Sequence, residues 1–166
     1  MFLHIDIDSF FASAERSVND SLKHIPICVG SRSNLEIFNK KRTHIKLMND
    51  NSGAFVTPVF YSDKKMKSRR NEDKTFESYF VDEIEGRKKI RGIVTTASYE
   101  ARKYGVKTAM PIAQALQLCP QMVVVPSNYP LYNKISHKLH DSMLAHIPKV
   151  EQYSINKFFG DLSGWK

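Results

Sequence analysis

The chain has 166 residues, 42% of them hydrophobic and 25% charged, which suits one domain, or one core with an appendage, and excludes a multidomain machine. Seven Gly and seven Pro exclude collagen-like and low-complexity chains, and no apolar run approaches the ~20 residues of a membrane helix. Its 25 Lys and Arg outnumber 17 Asp and Glu for a net charge of +8, with a pI of about 9.5, which favours a polyanionic partner.

Acids at positions 6 and 8 interrupt the apolar stretch that a signal peptide needs. The two cysteines, Cys28 and Cys119, stand in no metal spacing, so a reduced, cytoplasmic protein without zinc is expected. Phe2 to Ile7 reads as a strand ending in acids, and Asp8 or Ser9 can cap a short helix through Phe10, Phe11, Ala14 and Val18. Ile25 to Val29 reads as a second strand, closed by Gly30. Gly92 to Ala97 is a β-branched third strand. Ser98 then caps a helix over Tyr99 to Tyr104, which Gly105 stops. Pro111 suits the first turn of another helix, with Pro120 beyond its end, and Met122 to Val125 is a fourth strand. Leu131, Ile135, Leu139, Met143 and Ile147 recur at every fourth residue and describe one apolar helix face. Val150 to Ile155 and Phe158 to Leu162 are two strands flanking an Asn156-Lys157 turn. Strands interspersed with helices predict an α/β or α+β protein.

The stretch between the second and third strands, about 60 residues, is far longer than ordinary connections. Residues 35–48 suit a helix, whereas Ser62 to Lys74 is almost wholly polar and basic and is expected to be mobile. Residues 35–91 hold 14 basic and 9 acidic side chains, a balance of +5, against −1 for residues 1–34 and +4 for residues 92–166. The densest run, Lys64 to Arg70, reads either as a solvated loop or as a nucleic-acid contact.

Two constellations could carry chemistry. Asp6 and Asp8 end an apolar strand, where carboxylates are held rigidly and offer the hard oxygens Mg²⁺ prefers; an Asp that merely caps the next helix is as common, and that reading suits Asp8 better than Asp6. Downstream, Thr96, Tyr99 and Arg102 surround the start of a helix, with Tyr99 and Arg102 three apart on one face. Hydroxyls and a guanidinium suit a triphosphate, while an ordinary surface Arg beside a half-buried Tyr is the plainer alternative.

At these residues the chain resembles a known family. His4-Ile-Asp-Ile-Asp-Ser-Phe-Phe-Ala-Ser-Ala-Glu15 is similar to the opening of Y-family DNA polymerases, the translesion enzymes of the DinB and UmuC type. Thr96-Ala-Ser-Tyr-Glu-Ala-Arg102-Lys-Tyr-Gly105-Val-Lys resembles their finger motif. Met110-Pro-Ile-Ala-Gln-Ala and Val124-Val-Pro-Ser-Asn-Tyr-Pro-Leu-Tyr132 continue the likeness, and Val150 to Ile155 leads into the second acidic motif. The resemblance covers residues 1–34 and 92–166 in family order and leaves 35–91 as an insertion where the family has a shorter connection. It implies an α+β fold: a partial palm sheet from residues 1–8 and 128–166, with small fingers from 9–127 that include the insertion. Ending soon after the second acidic motif, the chain is expected to lack the thumb and little finger. The implied activity is template-directed deoxynucleotide addition with two Mg²⁺ ions, in translesion synthesis on a DNA primer-template with a deoxynucleoside triphosphate. Asp6 matches the first metal-binding carboxylate and Ile7 the position whose backbone carbonyl faces a metal. Phe11 matches the steric gate that excludes a ribose 2′-OH, and Phe10 lines the same floor. Thr96, Tyr99 and Arg102 match contacts to the triphosphate.

The family's second motif reads Ser-Ile-Asp-Glu; here it is Ser154-Ile155-Asn156-Lys157. Three carboxylates would carry −3, whereas Asp6 with Asn156 and Lys157 carries 0. Unit charges ~4 Å apart interact by ~4 kcal/mol at an effective dielectric of ~20, so an ammonium here opposes a divalent ion unless Lys157 swings away, for instance to Asp161, which strand alternation puts on its face. Catalysis is therefore expected to be impaired. A competing reading is a non-catalytic nucleic-acid-binding or regulatory module on the same scaffold. A third, Asp6-Ile-Asp8 as the acids of an aspartate-based phosphatase, is weakened by Phe10 where a Thr or Val is usual.

Overall fold

A computed structural model of the chain describes residues 1–32 and 76–163; the expected helix over 35–48 and the polar stretch 62–74 lie outside the described residues. The elements begin with β1 (Phe2–Asp6), α1 (Phe10–Val18), a 3-10 turn (Asp20–Leu22) and β2 (Ile27–Ser31). After them come α2 (Phe76–Phe80), β3 (Val81–Ile84), β4 (Arg87–Ile90), β5 (Ile93–Ala97) and α3 (Tyr99–Arg102). The described chain continues through α4 (Ile112–Leu118), β6 (Val123–Pro126), α5 (Tyr129–Leu144), β7 (Lys149–Ser154) and β8 (Lys157–Asp161). This is the expected α+β composition. Two compact units result, one from Met1–Lys23 with Asn128–Lys166, the other from His24–Ser127. Among the described residues no helix is long and apolar enough to cross a membrane.

In the first unit the sheet order is β1-β8-β7, antiparallel throughout, with Phe2 opposite Asp161, His4 opposite Phe159 and Asp6 opposite Lys157. Alternation along β8 buries Phe158 and Gly160 and leaves Phe159 41% exposed. The Phe158 ring lies 6.3 Å from His140 of α5, and a Cβ on Gly160 would come within 3.0 Å of Ile147. On the open face His4 stacks on Phe159 at 4.7 Å and Tyr153 meets that ring edge-on.

Three local expectations are corrected in this unit. The hairpin turn is Ile155-Asn156, not Asn156-Lys157, so Lys157 opens β8; a bulge around Tyr153 shifts the register by one residue. Ser9 precedes α1 in a left-handed conformation (φ 52°), and its side chain makes no cap hydrogen bond to the helix. Instead the Asp8 carboxylate accepts from the Ser9 N–H at 2.8 Å. The buried stripe of α5 is centred on Tyr132 and Ser136, while Leu131 and Ile135 are only half-buried. A repeat of four overshoots a turn of ~3.6 residues, so a five-residue series drifts around the helix.

In the second unit β2 is central, antiparallel to β5 and parallel to β6. The core joins Cys28, Val94, Ala97, Ala101, Val106, Ile112, Ala115, Cys119 and Met122 to Phe80. Both cysteines are free and buried, and burial pushes the Cys28 thiol up to about 12. Residues 76–90, part of the expected insertion and assigned no element from the sequence, form a helix running into a hairpin. The spacing of Phe76, Tyr79 and Phe80 puts three aromatic rings on one side of α2, and Phe80 is fully buried. Glu85 and Gly86, at φ 52° and 72°, supply the left-handed pair that a two-residue hairpin turn requires. Arg32 anchors this insert to β2 by donating to the Tyr79 carbonyl at 3.0 Å and pairing with Asp82.

Candidate functional site

The first unit brings four of the expected residues together. Asp6 ends β1 and Lys157 opens β8 directly opposite, while the Ile7 N–H donates to the Asn156 carbonyl at 2.9 Å, holding the hairpin turn against the end of β1. The Asn156 amide Nδ2 donates to Asp6 Oδ1 and to the Ile7 carbonyl, both at 3.1 Å. Its Oδ1 accepts from the Ser154 hydroxyl at 3.2 Å, and because a carboxylate and a carbonyl can only accept, Asp6 and Ile7 fix which end of the amide faces them. Lys157 Nζ lies 3.5 Å from Asp6 Oδ2. The carboxylate partner of Lys157 is thus Asp6; Asp161 instead accepts from the Ser163 N–H at 2.8 Å, and the Ser163 hydroxyl, followed by this N–H, holds its carboxyl below the usual range. Asp8 sits in the turn after β1 rather than on a continuing strand, so it shares no strand face with Asp6.

These residues do not fit a divalent metal. Asp6 meets an amide nitrogen on one oxygen and an ammonium on the other, and the Ile7 carbonyl accepts from the same amide. The only anionic group of the cluster is therefore matched by protein donors, and no net negative charge is left to hold a hard cation. Among the described residues, no group of three or more His, Cys, Asp or Glu side chains is placed to hold a metal ion.

Phe10 and Phe11 open α1 in the same unit. Phe10 is 5% exposed and lies in the core; Phe11 is half-buried, its ring stacked on Tyr132 with centroids 4.3 Å apart. Beneath them is a pair the sequence reading passed over: the Tyr132 hydroxyl donates to Glu15 Oε1 at 2.6 Å. Burial pushes the Glu15 carboxyl above its ordinary value and the Tyr132 phenol above its own. The available signal was the four-residue spacing of Phe11 and Glu15, which puts an acid on the same helix face as an aromatic.

Thr96, Tyr99 and Arg102 belong to the second unit. Thr96 lies on β5 opposite Val29. Ser98 caps α3 as expected, accepting from the Ala101 N–H at 3.3 Å and from the Ile27 N–H at 3.1 Å, so one buried hydroxyl ties the helix start to β2. The Arg102 guanidinium lies 5.3 Å from the centre of the Tyr99 ring while its Nε donates to the Ala97 carbonyl at 3.0 Å. Tyr99 remains 56% exposed. An oriented guanidinium over an exposed aromatic can receive a phosphate without first ordering its own side chain.

Residues 62–166 match the impB/mucB/samB family model. Residues 62–91 thus fall inside the match, against the expectation that all of 35–91 is an insertion. The chain is 27% identical over 161 residues to DNA polymerase IV of Yersinia enterocolitica, covering 97% of this chain and 30% of that protein. It is 39% identical over 80 residues to DNA polymerase IV of Vibrio cholerae, covering 48% and 22%. Among solved structures, an insertion ternary complex of Dbh DNA polymerase superposes with a TM-score of 0.62 at 26% identity, covering 98% of this chain and 32% of that one. DinB from Sulfolobus solfataricus does so at 0.60 and 26%, with the same coverage. The chain spans about a third or less of the length of each of these proteins. With motifs in family order, a fold shared over nearly its whole length and a matching family model, the chain belongs to the impB/mucB/samB family and corresponds to the N-terminal region of a Y-family DNA polymerase.

Proposed function

We propose that this chain is the N-terminal part of a translesion DNA polymerase whose own nucleotide-addition chemistry is impaired. Residues 1–8 and 128–166 would contribute to the palm and the intervening residues to the fingers. The substrates on this reading are a DNA primer-template and a deoxynucleoside triphosphate. Thr96, Tyr99 and Arg102 contact the phosphates, Phe11 faces the sugar and Phe10 supports that floor. The observation that carries the impairment is the Asp6 cluster, in which Asn156 and Lys157 supply nitrogen donors to the carboxylate that would otherwise bind metal. Divalent-metal dependence goes with the family; this donor set does not support it.

The test is metal binding together with primer extension. The chain as it stands should extend a primer no faster than background and should leave the paramagnetic relaxation of added Mn²⁺ unchanged. Asn156→Asp with Lys157→Glu takes the cluster from 0 to −3 and adds hard oxygen ligands, and should create Mn²⁺ binding that Asp6→Ala removes. Robust extension by the unmodified chain would sink the reading, because among the described residues no group of three or more His, Cys, Asp or Glu side chains is placed to take the metals. A second reading, a non-catalytic nucleic-acid-binding module, is favoured by the same closed cluster together with the net charge of +8. It predicts that the double change restores metal binding while leaving DNA affinity unaltered.

A further inference from the structure

We propose that Glu15 is a positioning residue for Phe11, acting through Tyr132, and so helps to set discrimination between deoxyribose and ribose. The inference rests on the reading of Phe11 as the side chain that faces the nucleotide sugar, and concerns what holds that ring. Phe11 and Glu15 are four residues apart in α1, on one face. Tyr129 and Tyr132 are three apart at the start of α5. The two faces meet as one stack: Phe11 lies on Tyr132 with planes 13° apart and centroids at 4.3 Å. Tyr129 stands edge-on to Phe11 at 5.8 Å and to Tyr132 at 5.7 Å.

Tyr132 is fully buried and Glu15 is 7% exposed. An acid at such a position is costly unless it is bonded, and an apolar side chain would fill the volume without that cost. What Glu15 supplies instead is direction. A phenolic O–H lies in the plane of its ring, so an acceptor fixed at 2.6 Å selects the rotation of the Tyr132 ring about its own axis. Phe11 rests flat on that ring, and its orientation follows. A bulky side chain that excludes one hydroxyl must be held within a fraction of an ångström, and a half-buried phenylalanine has no polar handle of its own to provide this.

The test uses the full chain and four variants: Phe11→Ala, Tyr132→Phe, Glu15→Leu and Glu15→Gln. One measurement is the ratio of dissociation constants for ATP and dATP by calorimetry. The other is the ring-proton NMR shifts of Phe11, which report its stacking on Tyr132 whether or not nucleotide binds. Glu15→Leu and Tyr132→Phe should move the Phe11 shifts and collapse the deoxynucleotide preference by roughly tenfold, towards the Phe11→Ala value. Glu15→Gln, which keeps an acceptor, should restore both. Should Glu15→Leu misfold, Tyr132→Phe carries the same comparison with the ring retained. Unchanged Phe11 shifts in Glu15→Leu and Tyr132→Phe, or a preference that survives both and is lost in Phe11→Ala, would overturn the proposal alone. A wild-type chain that binds nucleotide with no deoxy preference would overturn the sugar-facing reading of Phe11 and the discrimination role with it, and the shifts would still decide whether Glu15 fixes the ring.

Discussion

Asp6 and Glu15 are both carboxylates of the first unit, and their surroundings give them opposite behaviour. Asp6 is about half exposed and so is Lys157, at 45% and 42%; a pair in that setting is worth under ~1 kcal/mol. Its consequence is chemical rather than energetic, since the Lys157 ammonium stands where a cation would. Glu15 is enclosed, and burial raises its carboxyl from an ordinary value of 4.5. A raised folded value means that the native chain holds the proton longer than the unfolded chain. Its contribution to stability is therefore fully present below about pH 4.5 and declines as pH rises through the higher folded value. Relative to Glu15→Gln, which does not titrate, the wild type should be favoured most at low pH. The difference should fall by no more than ~1.4 kcal/mol per pH unit and then level off. Urea melts of both proteins across about pH 3.5 to 8 would measure this; a difference independent of pH would remove the burial argument. Asp6, Asn156 and Lys157 were grouped only through the family resemblance; local pattern by itself offered a strand ending in an acid and a hairpin turn, and it put Lys157 beside Asp161 rather than Asp6. Glu15 was not legible, because its four-residue spacing from Phe11 names no partner until α5 arrives from more than a hundred residues away.

At the scale of elements, legibility followed the same division. β1, α1, β5 and the α5 segment were visible from local pattern, with ends displaced by up to three residues. The turn at Ile155-Asn156 was misplaced by one residue because the bulge that shifts the register is set by pairing between β7 and β8. The insert of α2, β3 and β4 was missed because its length suggested a loop and its charges suggested solvent, although Lys88 and Lys89 stand opposite Glu83 and Asp82. What fixes the insert is Phe80, packed against Gly30 of β2 and Gly92 in the link between β4 and β5. A Cβ at Gly30 would lie 2.8 Å from Phe80 Cζ and from Ile112 Cδ1, and one at Gly92 2.9 Å from the Ser31 carbonyl. Gly30→Ala should therefore cost about 1–3 kcal/mol by overpacking. Phe80→Leu alone should be destabilising by opening a cavity, yet it removes the Phe80 ring atoms that the new methyl meets and leaves only the contact with Ile112. The double variant should be more stable than the sum of the two by at least ~0.5 kcal/mol. Additive losses in denaturant unfolding would mean that Phe80 and Gly30 are not in contact.

Over the whole chain, charge is divided as sharply as structure. The unit of residues 1–23 and 128–166 carries seven Lys and Arg against seven Asp and Glu, which leaves 18 against 10 for residues 24–127. The entire net charge of +8 thus belongs to the second unit, and the unit with the Asp6 cluster is neutral. For binding to phosphates, affinity is carried by released counterions, and log K falls with log salt at a slope of roughly −0.9 per neutralised phosphate on duplex DNA. Neutral surfaces contribute little to that slope. DNA binding by this chain should be weak, independent of sequence and steeply salt-dependent, with the slope owed to residues 24–127. Replacing Lys64, Lys65, Lys67, Arg69 and Arg70 by serine removes five of the eight net charges and should flatten the slope by up to roughly four units. Lys157→Ser should leave it unchanged, because that ammonium is already matched by Asp6. Fluorescence anisotropy of a labelled duplex, titrated across a salt series, separates the two variants. A slope that survives the five-residue change would assign that run to solubility alone, and one that fell with Lys157 would move the phosphate contact to the neutral unit.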